Sequence, residues 1–195
     1  MPVDHTTIYR WVQKYAPELD KQTRWYRQVP DWQARSWRVD ETYVRIRGQW
    51  AYLYRAVDSA GNTVDFRLSP RRNVASAKAF FRKAIRSQGR LPETITLDGY
   101  AASHRAVREL QEQGRLPDLT KLRSSKYLNN LIEQDHRNVK SRLGPMLGLK
   151  SFTSATTTIQ GIELMHRIRK GQFDLRGLGT QGQTPSEIWA AVLAA

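Results

Sequence analysis

Three carboxylates stand in settings where carboxylates are unusual. Asp40 lies inside the strand-like stretch "WRVDETYV", Asp98 closes the apolar run "TITLD", and Glu133 opens the helical stretch "NNLIEQDHRNVK". Aspartate is disfavoured in strand interiors, and a charge among apolar side chains needs a partner. Each acid has a plain explanation. Asp40 can pair with Arg38 or Arg55, and Asp98 can cap the helix that follows it. Glu133 can pair with Arg137 at i,i+4, worth about 0.2–0.5 kcal/mol. Glu41, next to Asp40, points to the other strand face, so both are not expected to serve one site. If the three acids converge, their oxygens suit a hard cation such as Mg²⁺ or Mn²⁺. Two such ions, about 3.5–4 Å apart, activate a water or hydroxyl and stabilise the leaving oxygen in phosphoryl transfer.

The elements that must bring these acids together follow from periodicity. Residues 36–69 are rich in Val, Ile, Tyr, Trp and Thr, with turn signals at "RGQ" and "SAGN". They predict antiparallel strands near 37–46, 49–57 and 63–69. Helical spacing then predicts a helix over 74–88, closed by Gly89, and another ending at Gly114. Short strands are predicted at "ETITLDGY" and "DLTKLRS", and helices over 129–143, 152–170 and 185–193. Near the N-terminus, Ile8, Trp11, Val12 and Tyr15 predict a helix over 6–16, with Pro17 following its end. The order is that of an α/β protein with a mixed sheet, three meander strands then βα units, and helices packed on it. Trp37 and Trp50 read as core aromatics, Asp65 as an exposed strand residue, and Asp58 as the start of a hairpin turn.

Helix 129–143 offers two acids. Ile132, Val139 and Leu143 form an apolar stripe that includes His136, which reads as a packed histidine. At about 100° per residue, Glu133, Arg137 and Lys140 share one flank and Asp135 takes the other. Periodicity does not choose between Glu133 and Asp135.

The composition narrows the partner. The chain has 195 residues, 39% hydrophobic and 26% charged, enough for one well-buried domain with a small appendage. Lys plus Arg number 32 against 18 Asp plus Glu, a net charge of +14. That excess favours a polyanion, above all nucleic acid. No apolar run approaches the roughly 20 residues that cross a bilayer. Cysteine is absent, which excludes disulfides and cysteine-ligated zinc and fits a reducing cytoplasm. The four histidines are far apart in sequence.

The stretches "WRVDETYVRIRGQWAYLYRAVDSAGNTVDFRLS", "TITLDGYAAS", "KYLNNLIEQDHRNVKSRLGPMLGLKSF" and "TIQGIELMHRIRKGQF" together resemble the catalytic core of a bacterial insertion-sequence transposase of the D-D-E class. Asp98 and Glu133 are separated by 34 residues, which matches the D-D-34-E arrangement of small cointegrate-forming insertion sequences. The resemblance implies a ribonuclease H-like fold shared with retroviral integrases. It implies that Asp40, Asp98 and Glu133 are the catalytic, metal-binding triad, favouring Glu133 over Asp135. It further implies two Mg²⁺ or Mn²⁺ ions, and double-stranded DNA (transposon ends and target) as partner. A homodimer or larger assembly and a bacterial cytoplasmic, nucleoid-associated location follow, with no membrane involvement. Lys140, Arg137 and Lys126 are implied to touch DNA. "VDHTTIYRWVQKYAPEL" resembles the second helix of a helix-turn-helix, with Thr6, Thr7, Tyr9, Arg10 and Lys14 facing DNA. Because the family usually carries the first helix before this point, the chain is expected to be N-terminally short. The implied organisation is a partial helix-turn-helix over 1–20, a linker over 21–35, the catalytic core over 36–173 and a tail with a short helix over 174–195. The implied reaction is phosphodiester hydrolysis at a transposon end followed by strand transfer of the 3′-OH. The alternatives are a non-catalytic or inhibitory DNA-binding fragment of a transposase, and a ribonuclease H-like nuclease without strand transfer.

Overall fold

Alternation of inward and outward side chains over residues 36–69 folds into a three-stranded antiparallel meander. A computed structural model of the chain describes residues 4–23, 35–125, 130–144 and 149–174. In chain order the elements are α1 (His5–Gln22), β1 (Ser36–Ile46), β2 (Gln49–Val57), β3 (Thr63–Ser69), α2 (Val74–Gln88), β4 (Thr94–Leu97), α3 (Ala101–Glu112), β5 (Lys121–Ser124), α4 (Asn130–Leu143) and α5 (Phe152–Arg169). The sheet order is β3-β2-β1-β4-β5. β1, β2 and β3 pair antiparallel, while β4 joins β1, and β5 joins β4, in parallel.

Local chemistry sets the turns. β1 and β2 are joined through Arg47 and Gly48, both with positive φ (50° and 76°), as a two-residue type I′ hairpin requires. Asp58 holds the next turn: its carboxylate accepts from the backbone N–H of Ala60 at 2.9 Å and of Asn62 at 2.8 Å. Asn73 caps α2 by accepting from the Ser76 N–H at 2.9 Å.

Two compact units result. One spans Val29–Gly148 and contains the whole sheet with α2, α3 and α4. One face of its sheet packs on α2 and α3 through Trp37, Val39, Tyr54, Ala56, Phe80, Phe81, Ile95, Leu97, Val107 and Leu110. The other unit combines Met1–Gln28 with Leu149–Ala195. In it α1 lies against α5 so closely that a Cβ added at Gly161 would meet the Ala16 Cβ at 3.2 Å. Gln13 donates to the Thr158 hydroxyl at 2.9 Å.

Three local expectations are corrected. α1 does not stop before Pro17 but carries it inside. Proline removes a single backbone donor there, and packing of the helix on α5 compensates. The exposed residues of α1 include Ile8, Trp11 and Tyr15, because its packed side is Val12, Gln13 and Ala16. Asp65 is buried, with its carboxylate 2.5 Å from Lys83 Nζ and 3.0 Å from the Ser87 hydroxyl. Trp37 is in the core, but Trp50 is 57% exposed beside the hairpin turn. The expected helix over 185–193 lies outside the described residues.

Candidate active site

The shortness of β4 creates the site. Its last residue, Leu97, pairs with Val39 of β1, so Asp98 leaves the sheet beside Asp40. The carboxyl ends of parallel strands are the usual ligand crevice of open α/β sheets. One carboxylate oxygen each from Asp40, Glu41 and Asp98 lies within 4.8 Å of the others.

Asp40 faces α4. Its Oδ2 is 3.3 Å from His136 Nε2, and its Oδ1 accepts from the Glu41 N–H at 2.8 Å. It pairs with neither Arg38 nor Arg55 among the described contacts. Asp98 folds back on its own chain, accepting from the Tyr100 N–H at 3.0 Å, while its backbone carbonyl lies 2.7 Å from His104 Nε2. The N-cap position of α3 is Tyr100, not Asp98, and it has no side-chain cap bond.

Glu41 was not expected here. It does point to the opposite face from Asp40, where the Ser103 hydroxyl of α3 donates to it. No β4 residue pairs with β1 beyond Val39, so carboxylates from the two faces meet around the strand end. Burial pushes the Glu41 carboxyl up, and the nearby Asp98 charge adds to this. The Ser103 hydrogen bond and the Arg72 charge oppose the rise without cancelling it.

Arg72, from the loop after β3, is the cation of the cluster. Its Nη2 is 3.1 Å from Glu41 and 3.8 Å from Asp98. Its guanidinium lies 3.6 Å from the centre of the Tyr100 ring and donates to the Tyr43 hydroxyl at 3.1 Å. Partial burial works against its charge, but Glu41 outweighs this and raises the Arg72 pKa. Neither Arg72 nor Glu41 carries a periodic signal in sequence. Only the adjacency of Glu41 to Asp40 in "VDET" offered a hint.

Glu133 sits in the first turn of α4 and is exposed, outside the trio of acids that lie within 4.8 Å. It is one helical turn from His136, the residue that touches Asp40. Ile132, Asp135, His136 and Val139 form the buried face. Arg137 and Lys140 are exposed with Glu133, on the flank that periodicity predicts. Asp135, left open as an alternative to Glu133, makes a buried ion pair with Arg55 at 2.6 Å. Lys126 lies outside the described residues. Thr6, Tyr9, Arg10 and Lys14 are exposed on α1 and Thr7 is half-buried, all in the other compact unit.

This mixed five-stranded sheet, with an acid inside β1 and another just past the end of β4, has the ribonuclease H-like fold. Among solved structures it resembles the HTLV-2 integrase catalytic core domain in complex with magnesium. The trimeric form matches with a TM-score of 0.53 and 16% identity, over 69% of this chain and 86% of that one. The dimeric form matches with a TM-score of 0.51, over 69% and 87%. Residues 34–172 match the DDE domain family DDE_Tnp_IS240. The transposase for insertion sequence-like element IS431mec of Staphylococcus aureus is 37% identical over 193 residues, which are 98% of this chain and 81% of that protein. The transposase for insertion sequence element IS257 in transposon Tn4003, also from Staphylococcus aureus, matches to the same extent. The chain belongs to the DDE-class transposase family of bacterial insertion sequences. Among the described residues no helix is long and apolar enough to cross a membrane.

Proposed function

We propose that this chain is a DNA transposase that cuts the phosphodiester at a transposon end and joins the exposed 3′-OH to target DNA. The observation that carries the reading is the approach of Asp40, inside β1, and Asp98, just past the end of the parallel strand β4, with α4 bringing Glu133 one turn from the residue on Asp40. An all-oxygen donor set of this kind fits a hard divalent cation. Asp40, Asp98 and Glu133 are the residues that would hold two such ions, Mg²⁺ or Mn²⁺. When bound, the ions supply Lewis-acid activation of the attacking oxygen and charge stabilisation at the leaving oxygen.

The remaining roles belong to the protein. In the first displacement a water oxygen bonds to phosphorus and the bond to the 3′ oxygen breaks, leaving a 3′-OH. In the second, that hydroxyl attacks a target phosphorus and displaces the target's own 3′ oxygen. No side chain forms a covalent bond, so catalysis rests on positioning and charge. Arg137 and Lys140, exposed beside Glu133, attract the phosphate backbone. Arg72 keeps Glu41 and Asp98 from repelling each other. The α1 residues Thr6, Thr7, Tyr9, Arg10 and Lys14 contribute DNA contacts, and Lys126 adds another. Two DNA ends must be handled together, which calls for a dimer or larger assembly.

The test incubates the protein with Mg²⁺, pre-cut 3′-OH transposon ends and a plasmid target. Strand-transfer products are expected, and they should vanish in Asp98→Asn and Glu133→Gln variants that still bind DNA. Salt-sensitive binding with no cutting or joining by the unmodified chain would refute the proposal.

A further inference from the structure

We propose that two adjacent polar contacts, Arg55 with Asp135 and Asp40 with His136, act as a register clamp that sets where α4 holds Glu133. Asp40 and Arg55 are direct cross-strand partners on β1 and β2, so their side chains emerge side by side on one sheet face. Asp135 and His136 are consecutive on α4 and both are buried. The strand pair therefore meets the helix pair at two points: Arg55 Nη2 to Asp135 Oδ2 at 2.6 Å, and Asp40 Oδ2 to His136 Nε2 at 3.3 Å.

Two neighbouring contacts restrict what apolar packing leaves free. Ile132 and Val139 are fully buried in the same interface, but hydrophobic burial is non-directional. A helix held by it alone can slide or turn at little cost. A single polar contact would still allow pivoting about that point. With two, a slip of one residue, which turns the helix face by about 100°, breaks the buried 2.6 Å pair of Arg55 with Asp135. The Arg55 side chain is 0% exposed, and breaking a buried ion pair is strongly destabilising. Setting register is the best-attested use of buried polar groups.

Glu133 lies two residues before Asp135 and three before His136, so i,i+3 geometry makes it the neighbour of the side chain on Asp40. Its reach towards Asp40 is decided by the clamp rather than by its own contacts. Asp135 and Arg55 are positioning residues, acting through α4. This inference rests on the reading of Glu133 as a metal ligand given above.

The test is a double-mutant cycle on the full chain, with Mn²⁺ as the probe and its affinity read by electron paramagnetic resonance. Glu133→Gln alone should weaken Mn²⁺ binding by on the order of tenfold, and Asp135→Asn alone should cause a similar loss. With Asp135→Asn already present, adding Glu133→Gln should change affinity by less than about twofold, because contacting or coupled sites are non-additive. A full further tenfold loss would overturn the clamp and leave Glu133 as a ligand. No loss in Glu133→Gln alone would instead sink the ligand reading, and the clamp's role with it. Circular dichroism checks folding. If Asp135→Asn does not fold, the paired change Arg55→Met with Asp135→Leu removes both charges at similar volume. The same cycle is then run on that background, and the same two outcomes decide.

Discussion

Replacing Arg72 by Gln removes the cation from the acidic cluster while keeping part of its length. In the metal-free protein Glu41 then loses a contact of 3.1 Å and Asp98 loses one of 3.8 Å. The gross attraction at 3.1 Å is about 5 kcal/mol at an effective dielectric of about 20. Much of that is offset by solvent and by proton uptake. A hydrogen bond to a charged group is worth about 1.5–3 kcal/mol net. The Asp98 share stays below about 1 kcal/mol because that carboxylate is partly solvated. The expected loss is about 2–3 kcal/mol near pH 8, or about 2–4 °C in Tm per kcal/mol for a chain of this size. The loss should shrink towards pH 5. Burial already holds the folded-state pKa of Glu41 above its ordinary value, so the folded state binds the extra proton. Stability linked to this group is present below the unfolded carboxylate pKa and is lost as pH rises through the folded one. Without Arg72 the folded pKa climbs further and widens that window upward. Thermal melts in EDTA at pH 5 and pH 8 provide the assay. A destabilisation below about 0.5 kcal/mol, or one equal at both pH values, would refute the role given to Arg72.

Two more predictions follow from burial and charge. Trp37→Ala should cost about 3–5 kcal/mol by emptying a core site, whereas Trp50→Ala should cost less than about 1 kcal/mol because its ring is mostly solvated; urea denaturation of the two variants separates them. Arg137→Ala with Lys140→Ala should weaken DNA binding without altering fold, and should reduce the slope of log affinity against log salt by about 2, measured by fluorescence anisotropy across a salt series.

Helix and strand boundaries were legible because they rest on local periodicity. The three meander strands and α2 appear within a residue of where alternation and turn residues put them. The flank of α4 that carries Glu133, Arg137 and Lys140 was equally legible, since 100° per residue needs no tertiary context. Pro17 and Trp50 were misread because both depend on neighbours. Pro17 is tolerated by packing on α5, and Trp50 stands at the end of a hairpin where the core does not reach.

The sequence by itself determined the acidic residues, the 34-residue spacing from Asp98 to Glu133, the basic charge and the order of elements. These are properties of composition and of near-neighbour geometry along one chain. Only the tertiary structure decided which acids meet. Glu41 joins Asp40 because β4 ends after four residues, a length that strand alternation does not report. Arg72 reaches the cluster from a distant loop, and Asp135 finds Arg55 across the sheet. Such pairings depend on register and strand ends, and on which side chains lose their water, so they exist only once the chain has packed.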